Sequence, residues 1–196
     1  MEISINWDES GFKHENVFDL ICFALNKEGT CKNKTGVVGL GLPKNDFGIS
    51  YKSILPIGAN NPDSKCVTLE INENELPFYC KEIMIFAYTN NLMALNAKFS
   101  DLEIFNVFKD GEKIFSIESY DKNTTTGILH LCSLVRMPEG FVFSPVFQFI
   151  NKNIVELGKS FNIEFINEED ESKISSNEED ESKISSNKGG YSRLQA

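Results

Sequence analysis

Short apolar segments, separated by turn-forming Gly, Pro and Asn residues, recur through most of this chain at a spacing of about ten residues. Segments 3–7, 66–71 and 102–108 alternate apolar with polar side chains, as strands with one buried face do. Segments 17–25 and 83–89 are longer apolar runs, and the second is rich in β-branched and aromatic residues. This pattern predicts a mainly β fold, a two-sheet antiparallel β-sandwich, and argues against an α/β fold.

The later strands are expected to pair into hairpins through turn-forming residues. Residues 109–113 (KDGEK) are predicted to turn the chain into a returning strand at 114–118. Residues 137–140 (MPEG) are predicted to join strands at 128–135 and 140–149 in the same way. Both connections favour antiparallel pairing of strands that are neighbours in the chain.

One segment has the period of an amphipathic helix. Asn151 is expected to cap a C-terminal helix over 152–161. The apolar residues of this segment lie close to one helical face, and they are Ile154, Val155, Leu157 and Phe161. A second, short helical turn is expected around 74–77.

The composition changes near the C-terminal end of the sequence. The ten residues NEEDESKISS occur twice in succession, at 167–176 and 177–186, with a single apolar residue in each copy. Such a segment buries too little apolar surface to offset its ordering entropy. We therefore expect one folded domain over 1–166 and a disordered acidic tail over 167–196. Acids follow the serines that end the first copy, so the tail is either a solubilising spacer or a phosphorylation switch.

Charge and cysteine usage exclude several classes of partner. The 29 acidic residues outnumber the 19 basic ones and give a net charge of -10, which repels nucleic-acid phosphates and anionic lipids.

Five cysteines without a C-x-x-C pair are expected to be free thiols, rather than zinc ligands or a disulfide framework. We see no signal peptide and no apolar stretch that could span a membrane, and we expect a cytoplasmic protein.

Catalytic motifs are missing, and we expect that the chain is not an enzyme. The sequence around Gly39 and Gly41 lacks the third glycine of a dinucleotide-binding loop, and neither a nucleophile elbow nor a P-loop is present. The two histidines are His14 and His130. His130 lies in a strand-like run, where a packed or surface histidine is expected rather than a catalytic base.

Several short motifs occur in a characteristic order. The first strand ends in Trp-Asp (7–8), the second strand contains FDLI (18–21), and a GANN loop occupies 58–61. A further Asn-x-x-Phe (96–99) follows the apolar run described above. In this order and spacing the chain resembles the TerD/TerZ-type tellurium-resistance and general-stress proteins. Eukaryotic relatives of that family include cAMP-binding proteins, and the resemblance covers about residues 1–166.

The resemblance implies a β-sandwich with short helices that binds calcium at an acidic cleft. Calcium takes six to eight oxygen ligands, several of them from carboxylates. This chain has Ile21 and Ala59 at two positions where the family has Asp. The oxygen donors that remain are Asp8, Asp19, Asn60, Asn61 and Asp63. The loss of two carboxylates predicts that calcium binds weakly or not at all; otherwise Asp19 caps a turn at a strand edge, and 60–63 is a plain turn.

Three functions are compatible with these observations, and the first two are favoured. One is a TerD-like stress-response and tellurium-resistance accessory protein, a binding module that contacts an unidentified protein partner, and calcium, through loops at one end of the sandwich. The alternative is a metal-free relative that acts only as a protein-interaction module, with the acidic tail contacting partners. A cyclic-nucleotide-binding module or an enzyme is a third, less favoured interpretation.

Overall fold

The computed structural model describes residues 1–8, 18–32, 34–39, 44, 48–56, 64–89, 99, 104–118 and 127–163. These residues belong to one unit, Met1–Ile163. A second unit, Glu164–Ala196, lies outside the described residues. The disordered acidic tail and the domain boundary at residue 166 therefore stay predictions.

Among the described residues, ten strands and one α-helix follow one another along the chain. The strands are β1 (Glu2–Asp8), β2 (Phe18–Leu25), β3 (Val37–Val38), β4 (Ile49–Pro56), β5 (Ser64–Ile71), β6 (Glu82–Thr89), β7 (Ile104–Lys109), β8 (Glu112–Glu118), β9 (Ile128–Met137) and β10 (Gly140–Ile150), and the helix is α1 (Ile154–Ser160). Sheet A has the order β4-β5-β1-β7-β8, and sheet B has the order β10-β9-β6-β2-β3. Neighbouring strands in both sheets run antiparallel, so the mainly β two-sheet fold predicted from the sequence is confirmed.

The two sheets share one apolar core because alternate residues of each strand point inward. Ile3, Ile5 and Trp7 of β1 and Phe18 and Leu20 of β2 are buried in this core. The rings of Trp7 and Phe18 meet edge to face, with centroids 6.2 Å apart. This contact joins sheet A to sheet B at the end of the sandwich where β1 ends and β2 begins.

A second apolar layer covers the outer face of sheet B. Phe23 of β2 and Phe86 of β6 point away from the shared core, and their ring centroids lie 4.7 and 6.1 Å from that of Phe161. Leu157 and Ile163, on either side of Phe161 in the chain, are also buried. We call residues 153–163, which include α1, the C-terminal cover.

Helix α1 is capped by Asn153. The Asn153 side chain accepts a hydrogen bond from the Glu156 backbone N–H, and the Glu156 carboxylate accepts one from the Asn153 N–H, both at 2.9 Å. This reciprocal capping box satisfies two donors that the first turn leaves unpaired. The predicted helix is confirmed, but the cap expected at Asn151 is wrong, because the Asn-x-x-Glu spacing that a capping box needs begins at Asn153.

Both predicted hairpins are present. Asp110 and Gly111 have φ values of 50° and 81° in the two-residue turn between β7 and β8, the conformation that closes tight hairpins. Strands β9 and β10 pair across the predicted turn, with Met137 opposite Gly140. A short 3-10 turn at Glu73–Glu75 lies where a helical turn was expected.

Strands β3 and β4 had no counterpart in the sequence pattern. Strand β3 has two residues, too few to show a period, and β4 pairs with β5 across a register break between Lys52 and Leu55. Gly39, which directly follows β3, has a φ of 115°. A Cβ atom at this position would lie 2.4 Å from the carbonyl oxygen of Leu20, so this close approach to β2 requires glycine.

An aromatic stack joins the edge strands β8 and β10. The rings of Phe115 and Phe147 are 9° from parallel, with centroids 4.1 Å apart. Phe147 has a φ of 49° and lies in a register break between Pro145 and Gln148. A left-handed conformation is uncommon for a bulky residue, and here the bulge turns the Phe147 ring toward sheet A.

The five cysteines are free thiols, as expected. Cys66 of β5 is half-buried, and the other four are buried. Burial raises the pKa of Cys80 to about 11 and that of Cys132 to about 12. Burial, and to a smaller extent Cys80, also raises the pKa of Cys31 to about 12. These thiols therefore stay protonated at neutral pH, and they contribute to packing rather than to chemistry.

Candidate functional site

The carboxylate of Asp19, near the start of β2, is surrounded by hydrogen-bond donors. Its Oδ1 accepts from the backbone N–H of Leu20 at 2.7 Å and from the hydroxyl of Tyr51 at 2.6 Å. Its Oδ2 accepts from the hydroxyl of Tyr88 at 3.1 Å. The half-buried carboxylate thus forms a small polar cluster, the Asp19 cluster, with two tyrosines.

The two tyrosines come from different sheets. Tyr88 lies on β6 directly opposite Asp19 in the antiparallel register, so the two side chains share a face of sheet B. Tyr51 lies on β4, the edge strand of sheet A. Among the described residues, strand β3 pairs with Cys22 and Phe23 of β2. The Asp19 carboxylate therefore links the edge of sheet A to sheet B next to the short edge strand.

Burial sets the electrostatics of the Asp19 cluster. Desolvation raises the pKa of Asp19, and the hydrogen bonds from Tyr51, Leu20 and Tyr88 oppose this rise without cancelling it. Burial, with the Asp19 charge as a second cause, also raises the pKa of both tyrosines. Both phenols therefore act as hydrogen-bond donors, and neither is suited to act as a base near neutral pH.

Asp8 was expected near Asp19, and it lies at the end of β1, opposite Ser64 of β5. Its neighbour Trp7 and the neighbour of Asp19, Phe18, both point into the shared core. Successive side chains of a strand point to opposite faces, so Asp8 lies on the outer face of sheet A and Asp19 on that of sheet B. The structure brings the two residues to the same end of the sandwich but not to the same face.

The other expected oxygen donors, Asn60, Asn61 and Asp63, lie outside the described residues. Among the residues that are described, no group of three or more His, Cys, Asp or Glu side chains is arranged to hold a metal ion. Counting contacts with described residues alone, two hydrogen bonds occupy the lone pairs of Oδ1 and one occupies a lone pair of Oδ2, so Asp19 has little capacity left. The described residues alone do not supply the six to eight oxygens that calcium takes.

Tyr51 and Tyr88 were not expected in this site. The sequence places Tyr88 in an apolar run that indicates a buried strand, which gives no sign of a polar partner. Tyr51 lies in β4, which the sequence pattern did not indicate. A carboxylate within an apolar strand was itself a signal, because a buried acid needs donors, but nothing in the sequence identifies the donors.

No family model matches the chain, and no curated protein matches it. Solved structures do match its fold. A crystal structure of SAV2460, a protein of unknown function, has a TM-score of 0.61 and 14% identity, covering 80% of this chain and 92% of that one. SCO6318 from Streptomyces coelicolor A3(2), a homologue of the telluride resistance protein TerD, has a TM-score of 0.58 and 12% identity, covering 84% of this chain and 98% of its own.

These similarities define a class of fold. The chain has a TerD-like β-sandwich, and this part of the resemblance seen in the sequence is confirmed. At sequence identities of 12% and 14%, similarity to these two structures shows the fold of this chain but not its activity. Within the part of the chain that is described, no helix is long and apolar enough to cross a membrane.

Proposed function

We propose that this chain is a non-enzymatic binding module, a TerD-like accessory protein of the tellurium-resistance and stress-response type. Its binding surface is the end of the sandwich where β1 ends and β2 begins. Loops on a rigid β scaffold commonly carry such sites, because the scaffold holds the ends of each loop in place. The TerD-like fold supports the class of protein, and the Asp19 cluster supports the position of the surface.

One observation carries the proposal. Asp19 is kept as a half-buried carboxylate at a strand end, although burial raises its pKa and so disfavours its charged form. A perturbed carboxylate next to loops is a candidate binding residue, because a bound cation would offset the unfavourable burial of its charge. The lone pair of Oδ2 that the tyrosines leave free is the point at which a cation would contact Asp19.

Calcium is the cation that we propose, bound with a dissociation constant of about 1 mM, at the weak end of protein calcium sites. Asp19 contributes one oxygen in this proposal. Asn60, Asn61 and Asp63 are the loop residues proposed to contribute the others. The missing carboxylates at Ile21 and Ala59 explain the weak affinity, because each removes both a negative charge and a ligand oxygen.

The test is a calcium titration of the full chain by calorimetry, together with the melting temperature in 10 mM CaCl2 or MgCl2. Saturation to ten times the dissociation constant stabilises a protein by about 1.4 kcal/mol, which raises the melting temperature by a few degrees. We expect this rise with calcium for the wild type and not for Asp19→Asn. The matched control Glu139→Gln changes an exposed acid at the opposite end of sheet B and should respond like the wild type.

The second candidate is the same module without a metal. It is favoured by the saturation of Oδ1, which already accepts two hydrogen bonds from protein groups. If 10 mM calcium gives no heat of binding and no change in melting temperature, the calcium site is contradicted. The metal-free module is then the function that remains. Cyclic AMP in the same thermal assay tests the cyclic-nucleotide interpretation, which a rise in melting temperature would favour.

A further inference from the structure

His130 is a buried histidine that the proposed function does not use. It lies on β9 at the outer face of sheet B, and 7% of its surface is exposed. The ring stacks on Phe86, with centroids 4.6 Å apart and planes 27° apart. Its Nε2 lies 3.2 Å from the carbonyl oxygen of Cys132 and 3.3 Å from the hydroxyl of Ser133. Of the packed and surface positions that the sequence left open for His130, the structure shows the packed one.

Phe86 connects His130 to the C-terminal cover. The same ring that stacks on His130 lies 6.1 Å from Phe161, and Phe161 in turn lies 4.7 Å from Phe23. The cover is also tied to the sandwich by a hydrogen bond of 2.9 Å from the Cys31 N–H to the Phe161 carbonyl. A seven-residue helix has little stability of its own, so these contacts decide whether the cover stays in place.

The charged groups on the elements around His130 do little to stabilise a protonated imidazole. They are Glu82 on β6, Asp19 on β2, Arg136 on β9, and Glu156 and Lys159 on α1, while β10 contains no ionisable residue. Of these, Glu82 acts on the imidazole, and it favours the charged form. Desolvation outweighs both Glu82 and the hydrogen bond to Cys132, and it lowers the pKa of His130.

We propose that His130 is an acid-sensitive latch, and that protonation of its imidazole releases the C-terminal cover from sheet B before the sandwich unfolds. An imidazolium needs an acceptor at each ring nitrogen. In the described structure both hydrogen-bond partners of His130 are at Nε2. In this proposal the strain of the charged ring passes through the Phe86 stack to Phe161, the cover lifts, and Phe23 and Phe86 become an exposed apolar surface that is absent at neutral pH.

The pH range in which the cover opens follows from the direction in which the pKa of His130 is shifted. The unfolded chain binds a proton at His130 with the ordinary pKa of 6.5, and the folded chain binds it less readily. The closed cover is therefore fully favoured above that pH, and this preference is lost progressively as the pH falls below it. Opening of the cover rather than of the whole domain is expected, because local units with few contacts open at lower cost than the core.

Hydrogen exchange followed by mass spectrometry on the full chain, at pH 7.5 and pH 5.0, tests the latch. After correction for the intrinsic pH dependence of exchange, peptides from 153–163 should exchange at least about tenfold faster at pH 5.0. Peptides from β1 and β5 should stay protected. His130→Gln keeps a donor for the Cys132 carbonyl but cannot become charged, so its cover should exchange alike at both pH values. His14→Gln, which changes the other histidine, should keep the wild-type response.

Three results would overturn the latch. The first is a wild-type cover that exchanges equally at both pH values. The second is an unchanged acid response in His130→Gln and in His130→Phe, the variant that keeps the aromatic stack. The third is a loss of protection in β1 and β5 together with the cover. If both variants fail to fold, comparison of cover and core exchange in wild type and His14→Gln still separates local opening from global unfolding.

Discussion

At the scale of single residues, Asp19 has an environment that stabilises its position but not its charge. Three donors hold the carboxylate in place, while burial raises its pKa. The folded state therefore binds a proton at Asp19 more readily than the unfolded chain does. A neutral isostere would keep most of the hydrogen bonds without the cost of a buried charge.

Substitutions at Asp19 should separate these two effects. At pH 7, Asp19→Asn is expected to match or exceed the wild type in free energy of unfolding, because the amide keeps the acceptor at Oδ1 and removes the charge. Asp19→Ala should lose about 1–3 kcal/mol, because two phenol hydroxyls lose their acceptor. Urea denaturation measures both values. A large loss of stability in Asp19→Asn would show that the charge itself stabilises the fold.

The stability difference between wild type and Asp19→Asn should also depend on pH. The cost of the buried charge is present above the raised pKa of Asp19, and it disappears as the pH falls through that value toward 3.8. Denaturation series between pH 7 and pH 4 should therefore show the advantage of the variant shrinking with acidity. Glu139→Gln is the control, since its exposed side chain should give a small difference throughout. If the advantage of Asp19→Asn grew as the pH fell, folding would lower the pKa of Asp19 rather than raise it.

Gly39 gives a prediction about backbone geometry. In Gly39→Ala a new Cβ meets the Leu20 carbonyl at 2.4 Å and the backbone takes a φ of 115°, so we expect a loss of about 2 kcal/mol or more in free energy of unfolding. Gly111→Ala is the matched control, because Gly111 also has a positive φ but open space around it, and it should lose about 1 kcal/mol. Equal losses would mean that β2 and Gly39 do not approach so closely.

At the scale of elements, the strands that the sequence predicted are those with a clear period or a long apolar run. Strands β1, β2, β5 and β6 fall in this group because each buries most or all of at least one face. Strand β3 has two residues, too few to show a period, and the Gly39 that follows it lies close to the Leu20 carbonyl of β2. Such an element is set by tertiary contacts, which a local pattern does not contain.

The cap of α1 offers a direct test of the corrected helix start. Asn153→Ala should remove the capping box and cost about 1 kcal/mol, with faster exchange in the first turn of α1. Asn151→Ala is the control, and it should leave both quantities unchanged because Asn151 does not cap the helix. Thermal denaturation and hydrogen exchange measure the two effects. A larger effect at Asn151 would restore the cap expected from the sequence.

The aromatic stack between β8 and β10 should show energetic coupling. In a double-mutant cycle with Phe115→Ala and Phe147→Ala, we expect a coupling energy of about 0.5–1.5 kcal/mol, because the rings are nearly parallel at 4.1 Å. Phe115→Ala paired with Phe23→Ala, on the outer face of sheet B, is the control cycle and should be additive. An additive result for the first pair would show that the stack does not join the edge strands in solution.

At the scale of the whole molecule, the fold was accessible from sequence and the site only in part. Strand spacing and motif order predicted the TerD-like sandwich over most of its length. Asp19 was predicted as a candidate because it belongs to one of those motifs. Its partners Tyr51 and Tyr88 were not, because a contact between β4 and β2 exists only after two sheets have stacked.

Removal of the acidic tail tests the predicted domain organisation. A chain shortened to residues 1–166 should keep the melting temperature and a free energy of unfolding within about 0.5 kcal/mol of the full chain, if the tail contributes no packing. Calorimetry of both chains measures this difference. A clearly lower stability of the shortened chain would contradict a disordered tail that adds only charge and solubility.

The protonation of the buried thiols has a consequence for the surroundings that this protein tolerates. A thiol with a pKa of 11 or 12 presents a reactive thiolate in roughly one molecule in ten thousand or fewer at neutral pH. Burial raises the pKa of Cys66 as well, but this thiol is only half-buried, so oxidants and metal ions that react with thiolates reach Cys66 first. The other sulfurs react when the sandwich opens. A reducing environment matters to this chain while it folds, and much less once it has folded.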